Sequence, residues 1–388
     1  MIEKINDITY SILNDLKELN KYIYNNPELG NEEFKSSKAH IELLKKYGFQ
    51  VEEEYLGIKT GFKAYYKSKK EGPAISYLSE YDALPKIGHG CGHNLLGTTS
   101  TGAAIVLKHL LDDIGGTVVV FGTPAEETNG AKVKMVEEGA FEGIDVAMLA
   151  HPSSTYSKSG TSLAMEAIQF TFKGKASHAA SDPDKGINAL DAVIMTFNSI
   201  NALREHILPS ARIHGIIREG GKAANIVPDL AIAQFYVRTS RKAYLQKLTE
   251  KVKNCARGAA LATGASLQIS NYELGYDDLV TNETLSEIFT KNLKSQGVQN
   301  PDNIKLTFGS VDMGNVSHVC PAIHPYFGIH GDDSIAAHTE EFRDATLTDK
   351  AYENMIITIN ALVNTGVQVI QNKDLLEKIR EEFNASKN

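Results

Sequence analysis

The sequence predicts an α/β protein in two parts: a mainly parallel sheet flanked by helices, with an inserted ferredoxin-like unit. Three observations carry this. Apolar runs at 74–79, 117–122 and 145–150 alternate with helical patterns around 95–111 and 132–138, the βαβ rhythm of a sheet buried on both faces. After about Ser162 the order becomes strand, helix, strand, strand, helix, strand, which is that of a βαββαβ unit. The length of 388 residues, with 42% hydrophobic and 23% charged residues, suits two domains better than one.

Taken in order, the chain opens with an amphipathic helix to about Tyr24 and a turn through Asn26, Pro27, Glu28, Leu29 and Gly30. A second helix runs to about Tyr47, where Gly48 closes it. Extended segments follow around 51–55 and 61–66, before the alternating strands and helices. In the insert, 167–172 alternates as a half-exposed strand does, 187–200 is helical, 212–218 and 229–237 are strands, 245–262 is helical and 267–272 is a strand. From about residue 277 the larger domain resumes with a helix, a Gly/Ser/Asp-rich stretch at 309–318 and a strand-like run at 326–329. A last amphipathic helix is predicted over 348–362, followed by polar final residues. No internal repeat is present.

Composition narrows the partners. A formal net charge of −8 argues against nucleic acid and leaves small molecules as the fitting class. Three cysteines, Cys91, Cys255 and Cys320, are too few for a disulfide framework and point to a reducing compartment. No run of about 18 apolar residues occurs, and the first helix lacks the apolar centre of a signal peptide. The expectation is a cytoplasmic protein with no membrane partner.

Chemistry gathers where the strands end. The run 74–79 leads to Asp82, 117–122 to Glu126 and Glu127, and 145–150 straight into His151. Cys91 and His93 stand among glycines just before the helix at 95–111. In open α/β sheets that edge is where sites form. An Asp after a strand usually serves a turn, and a Glu pair before a helix usually serves its dipole. Thiolate, imidazole and carboxylate converging together are instead a ligand set for zinc or another divalent first-row ion. Adjacent glutamates on a turn point differently, so one can bind metal while the other serves as a base. A glycine-flanked cysteine could also be a nucleophile, but a thiol enzyme leaves Glu126, Glu127 and His151 unexplained.

These residues carry a family resemblance. NNPELGNEEF, SEYDALPKIGHGCGHN, GTPAEE, LAHP, GKASHAA followed by GINAL, ANIVPD, GSVDMGNVSH and AHTEEF occur in that order over essentially the whole chain. The sequence resembles the dinuclear metallopeptidases and amidohydrolases of the aminoacylase and carboxypeptidase G type. The similarity is strongest to the branch with aminobenzoyl-glutamate hydrolase and β-alanyl-lysine dipeptidase.

The resemblance implies a metal-binding catalytic domain over 1–165 and 277–388, with residues 166–276 as a lid and dimerisation domain. It implies two divalent ions, zinc or manganese with cobalt or nickel as further options, held by Cys91, His93, Glu127, His151 and His338. His324 and His330 are rivals to His338, His89 has a weaker claim, and Asp82 matches a carboxylate that orients a ligand. Glu126 matches the general base for hydrolysis of an amide by a water the metals activate. His178 matches a histidine that polarises the substrate carbonyl, usually in the partner subunit. Asn225 and Arg238 match substrate-binding residues, the arginine suited to a carboxylate. Many relatives carry Asp after CGH. Here Asn94 stands there, a candidate helix cap, and steers the substrate toward short dipeptides or N-acyl amino acids. A catalytically silent binding protein on the same fold is the alternative.

Overall fold

The computed structural model describes residues 1–304, 309–331 and 335–387. The chain divides into two compact units. The first spans Met1–Thr161, 279–304 and 312–387, the second Ser162–Asp278 with residues 309–311.

The first unit begins with helices α1 (Ile2–Ser11), α2 (Leu13–Asn25) and α3 (Phe34–Lys46), then strands β1 (Gln50–Glu53), β2 (Phe62–Lys67) and β3 (Ala74–Ser79). Helix α4 (His93–Ile114), β4 (Thr117–Gly122), α5 (Ala131–Glu137), β5 (Val146–Met148) and β6 (His151–Ser153) follow. The six-stranded sheet has the order β1-β2-β4-β3-β5-β11, where β11 is Ala322–Ile323. The pairs β4/β3, β3/β5 and β5/β11 are parallel, while β1 and β2 close one edge in antiparallel fashion. Both β3 and β4 are buried after their first residue, as strands covered on both faces must be. Helix α4 is buried nearly all round, which its run of Leu, Ala, Gly and Thr permits.

The expected strand at 145–150 is shorter. It ends at Met148, and His151 instead opens β6, which pairs in parallel with β12 (Tyr326–Gly328). Pro152 has no N–H to give to a continuous inner strand, and its place in a two-stranded ladder avoids that loss.

The second unit holds β7 (Ala164–Lys173), α6 (Ala189–Leu203), β8 (Arg212–Glu219), β9 (Leu230–Thr239), α7 (Lys242–Thr263) and β10 (Ser266–Asn271). Its antiparallel sheet has the order β10-β7-β9-β8, the ferredoxin-like arrangement. One face of β9 alternates cleanly into its core. The chain then completes the first unit with α8 (Glu283–Ser295), α9 (Met313–Ser317), α10 (Glu340–Ala345), α11 (Asp349–Gln371) and α12 (Lys373–Ser386). The final helix pattern extends well past residue 362, and the polar tail forms α12, capped by Asn372 and anchored through Leu376 and Ile379.

Candidate metal centre

Because β4, β3 and β5 are parallel neighbours, their carboxyl ends open onto one edge of the sheet. There the structure brings together Cys91, His93 and His151; Cys91, Glu127 and His338; and His93, Glu126 and Glu127. Within each triad the donor atoms lie within 4.8 Å of one another. Cys91, His93 and Glu127 each belong to two triads, so the three groups form one continuous centre.

The spacings suit shared ions. Cys91 Sγ lies 3.6 Å from His151 Nε2, and His338 Nε2 lies 3.4 Å from Glu127 Oε1. Two ligands on one tetrahedral ion, with bonds of about 2.0–2.3 Å, stand about 3.3–3.7 Å apart. Among the described residues, buried His93 Nε2 and Glu127 Oε1 have no hydrogen-bond partner, a costly state that a cation relieves. Thiolate, imidazole and carboxylate are also the donors that divalent first-row metals prefer. The residues therefore fit divalent metal ions.

Asp82 orders this donor set. Its Oδ1 accepts from His93 Nδ1 at 2.9 Å, and its Oδ2 accepts the Glu127 N–H at 3.0 Å. One buried carboxylate thus sets the ring of one donor and the backbone of another. His151 Nδ1 donates to the Pro152 carbonyl at 2.7 Å, which leaves Nε2 toward Cys91. His338 is held by its own N–H, donated to Gly90 O at 2.8 Å, in a left-handed conformation with φ +70°. Gly92 precedes α4 at φ +81°, and a Cβ there would come within 3.1 Å of Pro152 and 3.2 Å of Phe342. Gly92 is the N-cap. Asn94 therefore does not cap the helix; inside its first turn it donates to Asn20 Oδ1 and Thr346 Oγ1.

Electrostatics separates the two adjacent glutamates. Burial, with the carboxylates of Glu80, Asp312 and Glu127, pushes the Glu126 carboxyl well above its usual range. Burial also works against the charge on Glu127, but the His338 ring, 3.4 Å from Glu127 Oε1, and nearby His93 hold its carboxyl below the ordinary value. The two neighbours are thus pushed in opposite directions. Burial likewise pushes the Cys91 thiol up.

One part of the site is not legible in the sequence. Lys132, wholly buried, places Nζ 2.7 Å from Glu80 Oε1 and 2.6 Å from Asp312 Oδ1. Glu80 Oε2 in turn lies 3.3 Å from His93 Nε2, outside hydrogen-bond geometry. This buried cation is thus one carboxylate removed from His93 Nε2. Its only sequence signal is its place at the start of the helix after GTPAEE.

The rival histidines stand apart from every donor triad among the described residues. His324 is buried with its ring 5.6 Å from that of His151, and burial draws its pKa down to about 4. His89 is buried with Nε2 3.2 Å from Ile23 O, while His330 is exposed.

In the second unit, His178 and Asn225 lie on adjoining loops. His178 bridges Ile226, and Ala179 N–H donates to Asn225 O at 3.0 Å. His178 is exposed, and its Nδ1 accepts the N–H groups of Ala180 and Ser181, leaving Nε2 to carry the proton. Arg238 sits at the other end of the sheet. It pairs with Met165 in register, donates to Ser310 Oγ at 2.9 Å and lies over the Tyr236 ring.

Fold and donor set together define a metal-dependent hydrolase. The chain belongs to the peptidase family M20/M25/M40, whose model matches residues 76–363. It is 38% identical over 386 residues to the Xaa-Arg dipeptidase of Mus musculus, covering 95% of this chain and 88% of that protein. It is 34% identical over 307 residues to a p-aminobenzoyl-glutamate hydrolase component of Escherichia coli (strain K12), covering 74% and 63%. Among solved structures, an aminobenzoyl-glutamate utilization protein from Klebsiella pneumoniae has a TM-score of 0.72 at 18% identity, with 94% and 98% coverage. The YXEP protein of Bacillus subtilis, a dinuclear metal binding peptidase, has a TM-score of 0.66 at 20% identity, with 93% and 99% coverage. At those identities the likeness is one of fold. Among the described residues, no helix is long and apolar enough to cross a membrane.

Proposed function

We propose that this chain cleaves the amide bond of short dipeptides or N-acyl amino acids, with Glu126 as the general base. Cys91, His93, Glu127, His151 and His338 hold two divalent ions, zinc or manganese, with cobalt and nickel able to substitute. The observation that carries this reading is the chaining of three donor triads through Cys91, His93 and Glu127, with Glu126 in one of them and its neighbour Glu127 the more acidic. When bound, the ions polarise the substrate carbonyl and make water acidic near neutral pH. Glu126 takes the proton of the attacking water and later delivers it to the departing amine, so no amine anion has to leave. Asp82 keeps His93 and the Glu127 backbone in place throughout.

The substrate class rests on the relatives named for Xaa-Arg dipeptidase and p-aminobenzoyl-glutamate hydrolase. Arg238 binds the carboxylate of the amino-acid product, and Asn225 and His178 meet the substrate carbonyl region. His178 acts in trans, in a homodimer made through the inserted unit. Supporting this, Arg238 and the His178 and Asn225 loops occupy opposite ends of β9, whose stretch from Leu230 to Arg238, nine residues, spans about 26 Å. One substrate of dipeptide size cannot reach both ends of a single copy. Free Cys91, Cys255 and Cys320 agree with a cytoplasmic setting.

The test is Glu126→Gln assayed on dipeptides and N-acyl amino acids. Turnover is expected to fall at least a hundredfold with metal content unchanged. Native turnover in that variant would remove Glu126 from the mechanism.

A further inference from the structure

The motif NNPELGNEEF takes no part in the metal centre, yet the loop it forms between α2 and α3 touches both turns that build the centre. At one turn, Ala83 N–H donates to Glu28 O at 2.8 Å and Leu29 bridges Ala83, the residue after Asp82. At the other, Glu33 Oε1 accepts the N–H of Ala125, the residue before Glu126, at 2.8 Å. Gly30 lies against the same turn: a Cβ there would come within 2.5 Å of Thr128 Oγ1 and 3.1 Å of Ala125 Cα.

Ala125 holds φ +63°, a left-handed conformation that a residue with a Cβ adopts only when its surroundings impose it. Glu33 is such a surrounding. It is wholly buried, its second oxygen accepts the Thr60 hydroxyl at 2.8 Å, and its backbone carbonyl accepts Ser37 N–H within α3. The carboxylate is therefore fixed from behind and presents one oxygen to the turn. Ala125 is itself fully buried, so its N–H has no water to turn to.

We infer that Glu33 is a positioning residue for hydrolysis: through Ala125 it sets the turn that aims Glu126, while the same loop, through Glu28, fixes the neighbouring Asp82 turn. The inference rests on Glu126 being the general base. It assigns the NNPELGNEEF loop the task of keeping the base and the donor-orienting carboxylate in register, without touching substrate or metal.

The test uses the metal-loaded full chain and measures kcat, KM, metal content and unfolding temperature together. Glu33→Ala is expected to lower kcat at least tenfold, with KM within threefold of native and two ions retained. Glu33→Gln keeps an oxygen for Ala125 N–H and is expected to stay within threefold in kcat. Thr60→Val, which removes only the other hydrogen bond, is expected to do the same. Where Glu33→Ala does not fold, Glu33→Asp withdraws the carboxylate by one methylene and is expected to show the same loss in kcat. Native kcat in the Ala or Asp variant, or an equal loss in Glu33→Gln, overturns the inference. Failure of the underlying reading is separate and visible: Glu126→Gln would then keep native turnover whatever Glu33 does.

Discussion

Cys91 Sγ and His151 Nε2 face each other at 3.6 Å although sixty positions separate them in the chain. One comes from the loop before α4 and the other from the first residue of β6. Cys91 also joins Glu127 and His338, so it is common to two triads, while His151 joins one. Cys91→Ala is expected to reduce bound metal from two ions per chain to one or none, and His151→Ala to lower the affinity for a single ion. Elemental analysis after dialysis checks this, and two tightly held ions in Cys91→Ala would contradict it.

Asp82 stands in none of the donor triads and touches two of their members, His93 and Glu127. In Asp82→Ala the Glu127 N–H loses its partner, and His93 Nδ1 keeps only the Asp82 backbone carbonyl at 3.2 Å. Loss of such outer partners costs about 10–100-fold in metal affinity or activity. Competition against a chelator of known affinity measures the loss, and a change below threefold would count against this role.

Lys132 neutralises Glu80 and Asp312 inside the protein. Burial opposes its charge, but Asp312, Glu80 and Glu126 hold its pKa above the ordinary lysine value. Lys132→Met leaves buried carboxylates uncompensated, and breaking such a network costs about 3–5 kcal/mol. Urea unfolding is expected to show that loss. Combining Lys132→Met with Glu80→Gln and Asp312→Asn is expected to recover most of it, because no lone charge then remains.

Glu33 gives stability a pH dependence of definite sign. Burial raises its carboxyl from 4.5 to about 7. Between those values the folded chain holds this proton more tightly than the unfolded chain does, so the slope of stability against pH is negative. The contribution is complete below about pH 4.5 and is lost as pH rises through about 7, amounting to up to about 3 kcal/mol. Glu33→Gln is expected to flatten this part of the curve in denaturant titrations from pH 5 to 8. An unchanged slope would show that Glu33 does not titrate there.

Much of this arrangement is legible in the sequence because period and chemistry coincide. Buried strands at 74–79 and 117–122 announce themselves as apolar runs, and their ends carry Asp82, Glu126 and Glu127. What escapes depends on packing. Lys132 reads as an ordinary helix-surface lysine, since only the fold brings Asp312 to it from 180 positions away. The stretch 373–386 reads as a polar tail because only Leu376 and Ile379 bury a stripe there. Asn94 has the composition of a cap, but glycine at 92 tolerates the left-handed entry into α4 and takes that position instead. His151 lies at the expected edge by a different route, since its strand pairs with β12 rather than continuing β5.

Anomalous diffraction from metal-loaded crystals bears most directly on the centre. Two peaks are expected, bounded by Cys91, His93, Glu127, His151 and His338, with the Glu126 carboxylate beside them and bound to neither. Peaks away from these five side chains, or a Glu126 oxygen coordinating an ion, would contradict a centre of this design.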